Sequence, residues 1–189
     1  MNPTTAAQFA RRARSRRNSG DLDGAWHDLT RALELDPAAT TIRGARACLF
    51  FDNGFLEEAL ADFRIACATR TRGSQDYHRF RIWLCQARLG REASGTRELR
   101  GYLKEGKRAN AWTGSLAGFL TGDLAEKDLL SAAETPGERC EAHFFAGSRR
   151  LLRRDRDAAL RHFRASVRTA AEAYTEWRSA RAELARIAR

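Results

Sequence analysis

Histidine and cysteine carry the most versatile chemistry in this sequence, and their spacing argues against catalysis. Four histidines are scattered along the chain: His27, His78, His143 and His162. None has a motif partner, whereas an active site needs titratable groups clustered within hydrogen-bond range. The sequence also contains no GxSxG, Walker loop, HExxH or dinucleotide-binding fingerprint. We therefore expect neither an enzyme nor a bound cofactor.

The cysteines are equally dispersed. They occur at four separate places: Cys48, Cys67, Cys85 and Cys140. No two of them form a CxxC pair, and none has a histidine at metal-ligand spacing. This arrangement predicts buried free thiols rather than a zinc site or a disulfide framework.

Arginine is the most abundant source of charge. The chain has 34 Lys+Arg against 24 Asp+Glu, a formal net charge of +10. Guanidinium groups form forked hydrogen bonds with carboxylates and phosphates. Ten arginines fall in two short runs: Arg11, Arg12, Arg14, Arg16 and Arg17, then Arg149, Arg150, Arg153, Arg154 and Arg156. Such runs attract acidic proteins, anionic surfaces or nucleic acid. No known DNA-binding or RNA-binding module is readable, so nucleic acid is the alternative and a protein is the favoured partner.

The residues that hold these groups are predicted to form helices. Ala, Leu, Arg and Glu dominate, and β-branched residues never alternate with polar ones over the length of a strand. The longest apolar runs, such as residues 47–51, fall far short of the roughly 20 residues of a membrane span. Arginines at 11–17 interrupt any signal-peptide core. We expect an all-α protein, one domain over 1–189, without a membrane span and located in the cytoplasm.

A 34-residue repeat organises the first part of the chain. Four positions recur at this spacing: Gly20, Ala25, Leu29 and Ala32 are followed by Gly54, Ala59, Phe63 and Ala66. Glycine accepts left-handed backbone angles where the first helix ends, and the small residues let the second helix approach its neighbours. Pro37 stops the second helix of the first unit. The pattern resembles the tetratricopeptide repeat (TPR), which implies helix pairs stacked in a right-handed α-α superhelix.

Most of the chain follows this resemblance, with departures. The units are placed at about 6–37, 40–70, 76–104 (degenerate), 109–133 (an irregular helix pair) and 140–168, followed by a capping helix at 171–188, about eleven helices in all. Arg154 replaces the turn glycine of the fifth unit. The cap carries a one-sided apolar stripe: Tyr174, Trp177, Ala180, Leu184 and Ile187. The layout is similar to bacterial TPR adaptors of the lipoprotein kind, but the signal peptide and lipid-bearing cysteine of those proteins are missing from this sequence.

The resemblance implies an adaptor or scaffold that binds a partner on its concave face. Projection of the repeat register predicts seven groove residues: Arg14, Arg17, Phe51, Tyr77, Phe80, Arg81 and Leu84. A groove that is basic at one end and aromatic further along fits an acidic peptide or helix with apolar anchors. The other interpretation is that Phe51, Phe80 and Leu84 pack between adjacent repeats. The first helix departs from the family because Arg12 and Arg16 occupy slots that usually hold apolar residues.

Overall fold

The computed structural model describes residues 2–68, 75–104 and 110–188. Within these ranges the chain forms eleven α-helices and no strand, which confirms the all-α prediction. They are α1 (Ala6–Ser19), α2 (Leu22–Leu35), α3 (Thr40–Asp52), α4 (Leu56–Cys67), α5 (Gln75–Arg88), α6 (Glu92–Lys104), α7 (Ala111–Thr121), α8 (Glu126–Ser131), α9 (Pro136–Leu152), α10 (Arg156–Arg168) and α11 (Thr175–Ile187). None of these helices is long and apolar enough to cross a membrane. The sequence predicted one domain, and the chain divides into two compact units, residues 1–71 and 72–189.

Unit 1 contains the two helix pairs α1–α2 and α3–α4, where the 34-residue repeat is clearest. Gly20 and Gly54 follow the first helix of each pair with φ of 86° and 84°. Both lie in the left-handed region, where a side chain would be strained. The apolar core of the first pair includes Ala13, Leu29 and, from α3, Leu49. The predicted turn positions and the observed turns therefore coincide.

An ion pair between a partly exposed arginine and a buried aspartate repeats with the same 34-residue period. Arg12 Nη2 lies 2.6 Å from Asp28 Oδ1, and Arg46 Nε lies 2.7 Å from Asp62 Oδ2. Each pair joins the first helix to the second, and both carboxylates are buried. Arg16 adds a second guanidinium, 3.0 Å from Asp28 Oδ2. The hydrogen bond from Arg12 lowers the pKa of the Asp28 carboxyl. Arg12 and Arg16 can occupy positions of α1 that are usually apolar because the Asp28 carboxylate pairs with both of them.

The helix turns of unit 2 follow the same pattern with one substitution. Gly90 and Gly122 have φ of 78° and 87° after the first helices α5 and α7. After α9 the left-handed position is occupied by Arg154, with φ of 62°. The backbone thus keeps the turn where the sequence has lost the glycine, at a conformational cost of about 1 kcal/mol or slightly more. The irregular pair predicted near 109–133 consists of α7 and the short helix α8, which has 6 residues.

Helix α5 contacts helices that a strict array of stacked pairs would keep apart. The Arg81 guanidinium of α5 donates to Glu176 and Ser179 of α11, which are 95 and 98 residues away in sequence. The Phe80 ring of α5 lies 5.9 Å from the Phe145 ring of α9, measured between centroids. In a repeat array each unit contacts only its neighbours. In unit 2, α5, α9 and α11 instead share one core.

Candidate protein-binding surface

Three of the predicted groove residues lie in that core. Phe80, Arg81 and Leu84 are 1%, 2% and 0% exposed. The structure corrects the prediction that they line an open groove, because α9 and α11 cover this face of α5. For Phe80 and Leu84, packing between helices is the role that the structure shows. Periodicity identified an apolar face of α5 but could not tell whether another helix covers it.

Tyr77, the fourth predicted groove residue of unit 2, is half-buried and bonded within the unit. Its hydroxyl donates to Glu141 Oε2 at 3.0 Å, and the indole N–H of Trp112 donates to the same oxygen at 2.5 Å. The Glu141 carboxyl is 3% exposed. Burial and the nearby Glu176 carboxylate raise the pKa of Glu141 to about 7. This carboxyl can therefore exchange a proton near neutral pH.

Arg81, one turn after Tyr77 on α5, forms a second set of buried hydrogen bonds, in this case with α11. Its Nη2 donates to Glu176 Oε1 at 2.8 Å and its Nη1 to Ser179 Oγ at 3.0 Å. The guanidinium carbon lies 4.5 Å from the centroid of the Phe144 ring. Hydrogen bonds therefore join α5, α7, α9 and α11 through buried polar atoms. Such a network specifies the packing of these helices rather than presenting a surface to a partner.

In unit 1 the predicted groove residues have three different environments. Phe51 is 1% exposed, so its assignment to an open groove is also corrected: it packs in the interior of its unit. Arg17 is half-buried, and its Nη2 is 2.5 Å from Asp52 Oδ2 of α3. Arg14 is exposed. Among the described residues, no carboxylate forms an ion pair with it.

The two arginine runs in the sequence contribute mostly to internal contacts. In the first run only Arg11 and Arg14 are exposed without an acidic partner among the described residues. In the second run, Arg149 donates to the backbone carbonyl of Phe119. Arg150 donates to both carboxylate oxygens of Glu126, each at 2.9 Å. Arg153 and Arg154 of the second run remain exposed, so only part of each run lies free at the surface.

Helix α10 carries a stripe of basic residues, none of which was among the predicted groove residues. Arg161, Arg164 and Arg168 are exposed, and none forms an ion pair within the part of the chain that the structure describes. Their spacing of three and four places them within about 60° on one side of the helix. Asp157 is the exposed carboxylate on the same side, in the first turn. The spacing of three and four residues between these arginines could have predicted the stripe from the sequence. It is hard to see there because buried residues of α10 stand between the arginines.

Four half-exposed residues beside this stripe are apolar. They come from both α10 and α11: Leu160, Val167, Trp177 and Leu184. Within the predicted apolar stripe of α11, Ala180 and Ile187 are buried. The guanidinium of Arg181, which is exposed, lies 4.9 Å from the centroid of the Trp177 ring. Basic groups and apolar side chains thus occur together along these two helices.

Two histidines that are distant in sequence meet beside α10. His143 Nδ1 of α9 and His162 Nδ1 of α10 are 3.0 Å apart, so one ring donates to the other. His162 Nε2 lies 3.4 Å from Glu126 Oε1. Burial lowers the pKa of both histidines. The described residues contain no group of three or more His, Cys, Asp or Glu side chains arranged to hold a metal ion.

Comparison of the sequence with protein-family models and with curated proteins finds no match. The resemblance to TPR proteins therefore stays a prediction from the 34-residue spacing of the sequence.

Proposed function

We propose that this chain is a TPR-like adaptor that binds an acidic, partly apolar segment of another protein. The observation that carries this proposal is the separation of two classes of arginine. Arginines near the core, such as Arg12, Arg46 and Arg81, are bonded to carboxylates. Those on solvent-facing positions of α1 and α10 have no such partner among the described residues. The surplus positive charge is thus displayed where it attracts an acidic partner.

The construction of unit 1 supports a repeat scaffold. The same glycine, the same small side chains and the same Arg–Asp pair recur after 34 residues, so the two helix pairs are built on one plan. We infer that these pairs stack as in the right-handed superhelix of TPR proteins. Stacked pairs of this kind present an extended surface to a partner.

A protein fits the exposed surface better than nucleic acid does. The exposed arginines of α10 lie beside half-buried Leu160 and Val167. Apolar side chains add affinity for a partner that brings apolar groups of its own. A phosphate backbone offers charge alone, and binding to it follows salt concentration steeply. An acidic segment with apolar anchors uses both kinds of residue.

Fluorescence anisotropy of two labelled probes tests the proposal. One probe is an acidic amphipathic peptide and the other is a double-stranded DNA of about 20 base pairs, each titrated with the full chain at several salt concentrations. We expect the peptide to bind more tightly at physiological salt and to retain part of its affinity at high salt because of the apolar contacts. Tighter binding of the DNA, with a steep dependence on salt, would replace the adaptor with the nucleic-acid function.

A further inference from the structure

Helices α10 and α11 run antiparallel, and two contacts fix their register. Near one end, the Arg156 guanidinium of α10 donates to the backbone carbonyl of Ile187 in α11. Near the other end, the indole N–H of Trp177 donates to the carbonyl of Val167 at 2.9 Å. Leu160 therefore lies opposite Leu184, just as Val167 lies opposite Trp177.

These two apolar pairs are separated by a fixed distance. Leu160 and Val167 are seven residues apart on α10, and Trp177 and Leu184 are seven apart on α11. Seven residues are two helical turns, about 10.5 Å. All four side chains are partly exposed. The two pairs therefore form two apolar contact points about two helical turns apart.

Guanidinium groups lie between and beside the two contact points. Arg164 stands between Leu160 and Val167 in α10, and Arg181 stands between Trp177 and Leu184 in α11. Arg168 follows Val167. All three arginines are exposed, and none is ion-paired within the described ranges. The α10–α11 surface consists of seven residues: Leu160, Arg164, Val167, Arg168, Trp177, Arg181 and Leu184.

We propose that the α10–α11 surface binds an acidic amphipathic α-helix of a partner protein. Such a helix places apolar side chains at positions i and i+7 on one face, with positions i+3 and i+4 between them. Apolar anchors at i and i+7 match the two contact points. Carboxylates at i+3 and i+4 then face Arg164 and Arg181, which lie halfway between those points. This proposal rests on the proposed adaptor function. It adds the surface to which the partner binds and the spacing of the partner's apolar anchors.

Charge argues against a second copy of this chain as the occupant. In a two-fold symmetric contact the same surface meets itself. The α10–α11 surface would then bring its three arginines against those of the other copy, and like charges at an interface are unfavourable. An acidic helix supplies the charge that the surface lacks.

Two peptides of identical composition test the spacing. The matched peptide has leucines at i and i+7 and glutamates at i+3 and i+4 within an alanine-rich helix. The mismatched peptide has its second leucine at i+5 and its glutamates moved to the opposite face. We expect the full chain to bind the matched peptide at least about tenfold more tightly, a difference equal to about 1.4 kcal/mol.

Charge-reversal variants locate the binding site. Replacing Arg164 and Arg181 together by glutamate should lower the affinity for the matched peptide at least about tenfold, because two attractive contacts become repulsive. The control reverses Arg97 of α6 and Lys127 of α8, which are also exposed and free of ion pairs in the described structure. The control should leave the affinity within about twofold. Unchanged helical circular dichroism shows that each variant is folded, and Arg164→Gln provides a milder change at the same site.

Each outcome bears on a separate conclusion. Equal binding of the two peptides, or loss of binding only in the control variant, overturns the assignment of the α10–α11 surface and leaves the adaptor function standing. Failure of the full chain to bind either peptide overturns both. Loss of binding in the α10–α11 variant alone, together with preference for the matched peptide, supports both.

Discussion

Replacing Glu141 with glutamine should stabilise the protein in alkaline solution and have little effect in acid. The Glu141 carboxyl is buried near the Glu176 carboxylate, and its pKa is raised from 4.5 to about 7. Because the folded-state pKa is raised, the stability associated with the neutral carboxyl is fully present below pH 4.5. It is lost as the pH rises through about 7. Above that pH the folded protein contains a buried carboxylate that glutamine would remove.

The size of this effect follows from the pKa values. The interval between 4.5 and about 7 corresponds to about 3 kcal/mol of free energy of unfolding. Glutamine keeps an oxygen that can accept from Trp112 and Tyr77, as Glu141 Oε2 does. The gain at pH 9 should therefore approach about 3 kcal/mol, whereas at pH 4 the variant and the natural protein should differ by less than about 1 kcal/mol.

Urea unfolding followed by circular dichroism at pH 4 and pH 9 measures both values. Glu138, one turn earlier on α9, provides the control because its pKa is lowered, chiefly by a hydrogen bond from the Thr135 backbone N–H. Glu138→Gln should destabilise the protein at pH 9 and have less effect in acid, the opposite sign. An equal change for Glu141→Gln at both pH values, or destabilisation at pH 9, would refute the argument from burial.

Other predictions concern the turn, the repeated ion pair and the histidine pair. Arg154→Gly should raise the free energy of unfolding by about 1 kcal/mol, because glycine accepts the left-handed backbone without strain; no gain on thermal unfolding would contradict this. Asp62→Ala should lower the free energy of unfolding, measured with urea, by about 3 kcal/mol, since it leaves the Arg46 guanidinium without its carboxylate. Recovery of this free energy in Asp62→Glu would show that the charge is responsible. The pKa of His143 and of His162 is lowered, so their stabilising effect is present above pH 6.5 and is lost as the pH falls through the lowered values. The free energy of unfolding of the natural protein minus that of His162→Gln should therefore fall between pH 7 and pH 5, a difference in which the contribution of Glu141 cancels; an unchanged difference would refute this.

The sequence predicted the local features of the fold well because those features depend on local geometry. A glycine at residue 20 or 54 marks a left-handed turn whatever lies around it, and both positions have that conformation. The same reasoning placed a turn at Arg154 even though the glycine is absent, and the backbone there has a φ of 62°. Composition and helical periodicity were sufficient to predict the helices.

The candidate site was predicted less well because exposure depends on contacts that are distant in sequence. Nothing in the periodicity of α5 indicates that Arg81 bonds to Glu176, which lies 95 residues away. That contact places the predicted groove residues of α5 in a core. Conversely, the α11 stripe predicted an apolar face, but only the structure shows that Trp177 and Leu184 remain partly exposed.

The repeat also explains why some arginines are ion-paired within the chain and others are not. In unit 1 a guanidinium on the first helix meets an aspartate 16 residues later on the second helix, as Arg12 meets Asp28 and Arg46 meets Asp62. In the fifth unit the residue eight positions after the turn is His162, where unit 1 has aspartate. Its partners there are His143 of α9 and Glu126 of α8. The Arg–Asp pair of unit 1 is thus absent from the α9–α10 pair, and the arginines of α10 lie on the opposite, solvent-facing side. Arginine contributes to the packing of a helix pair where a carboxylate faces it, and the arginines without such a carboxylate are the ones to which the proposed adaptor function assigns the attraction of a partner.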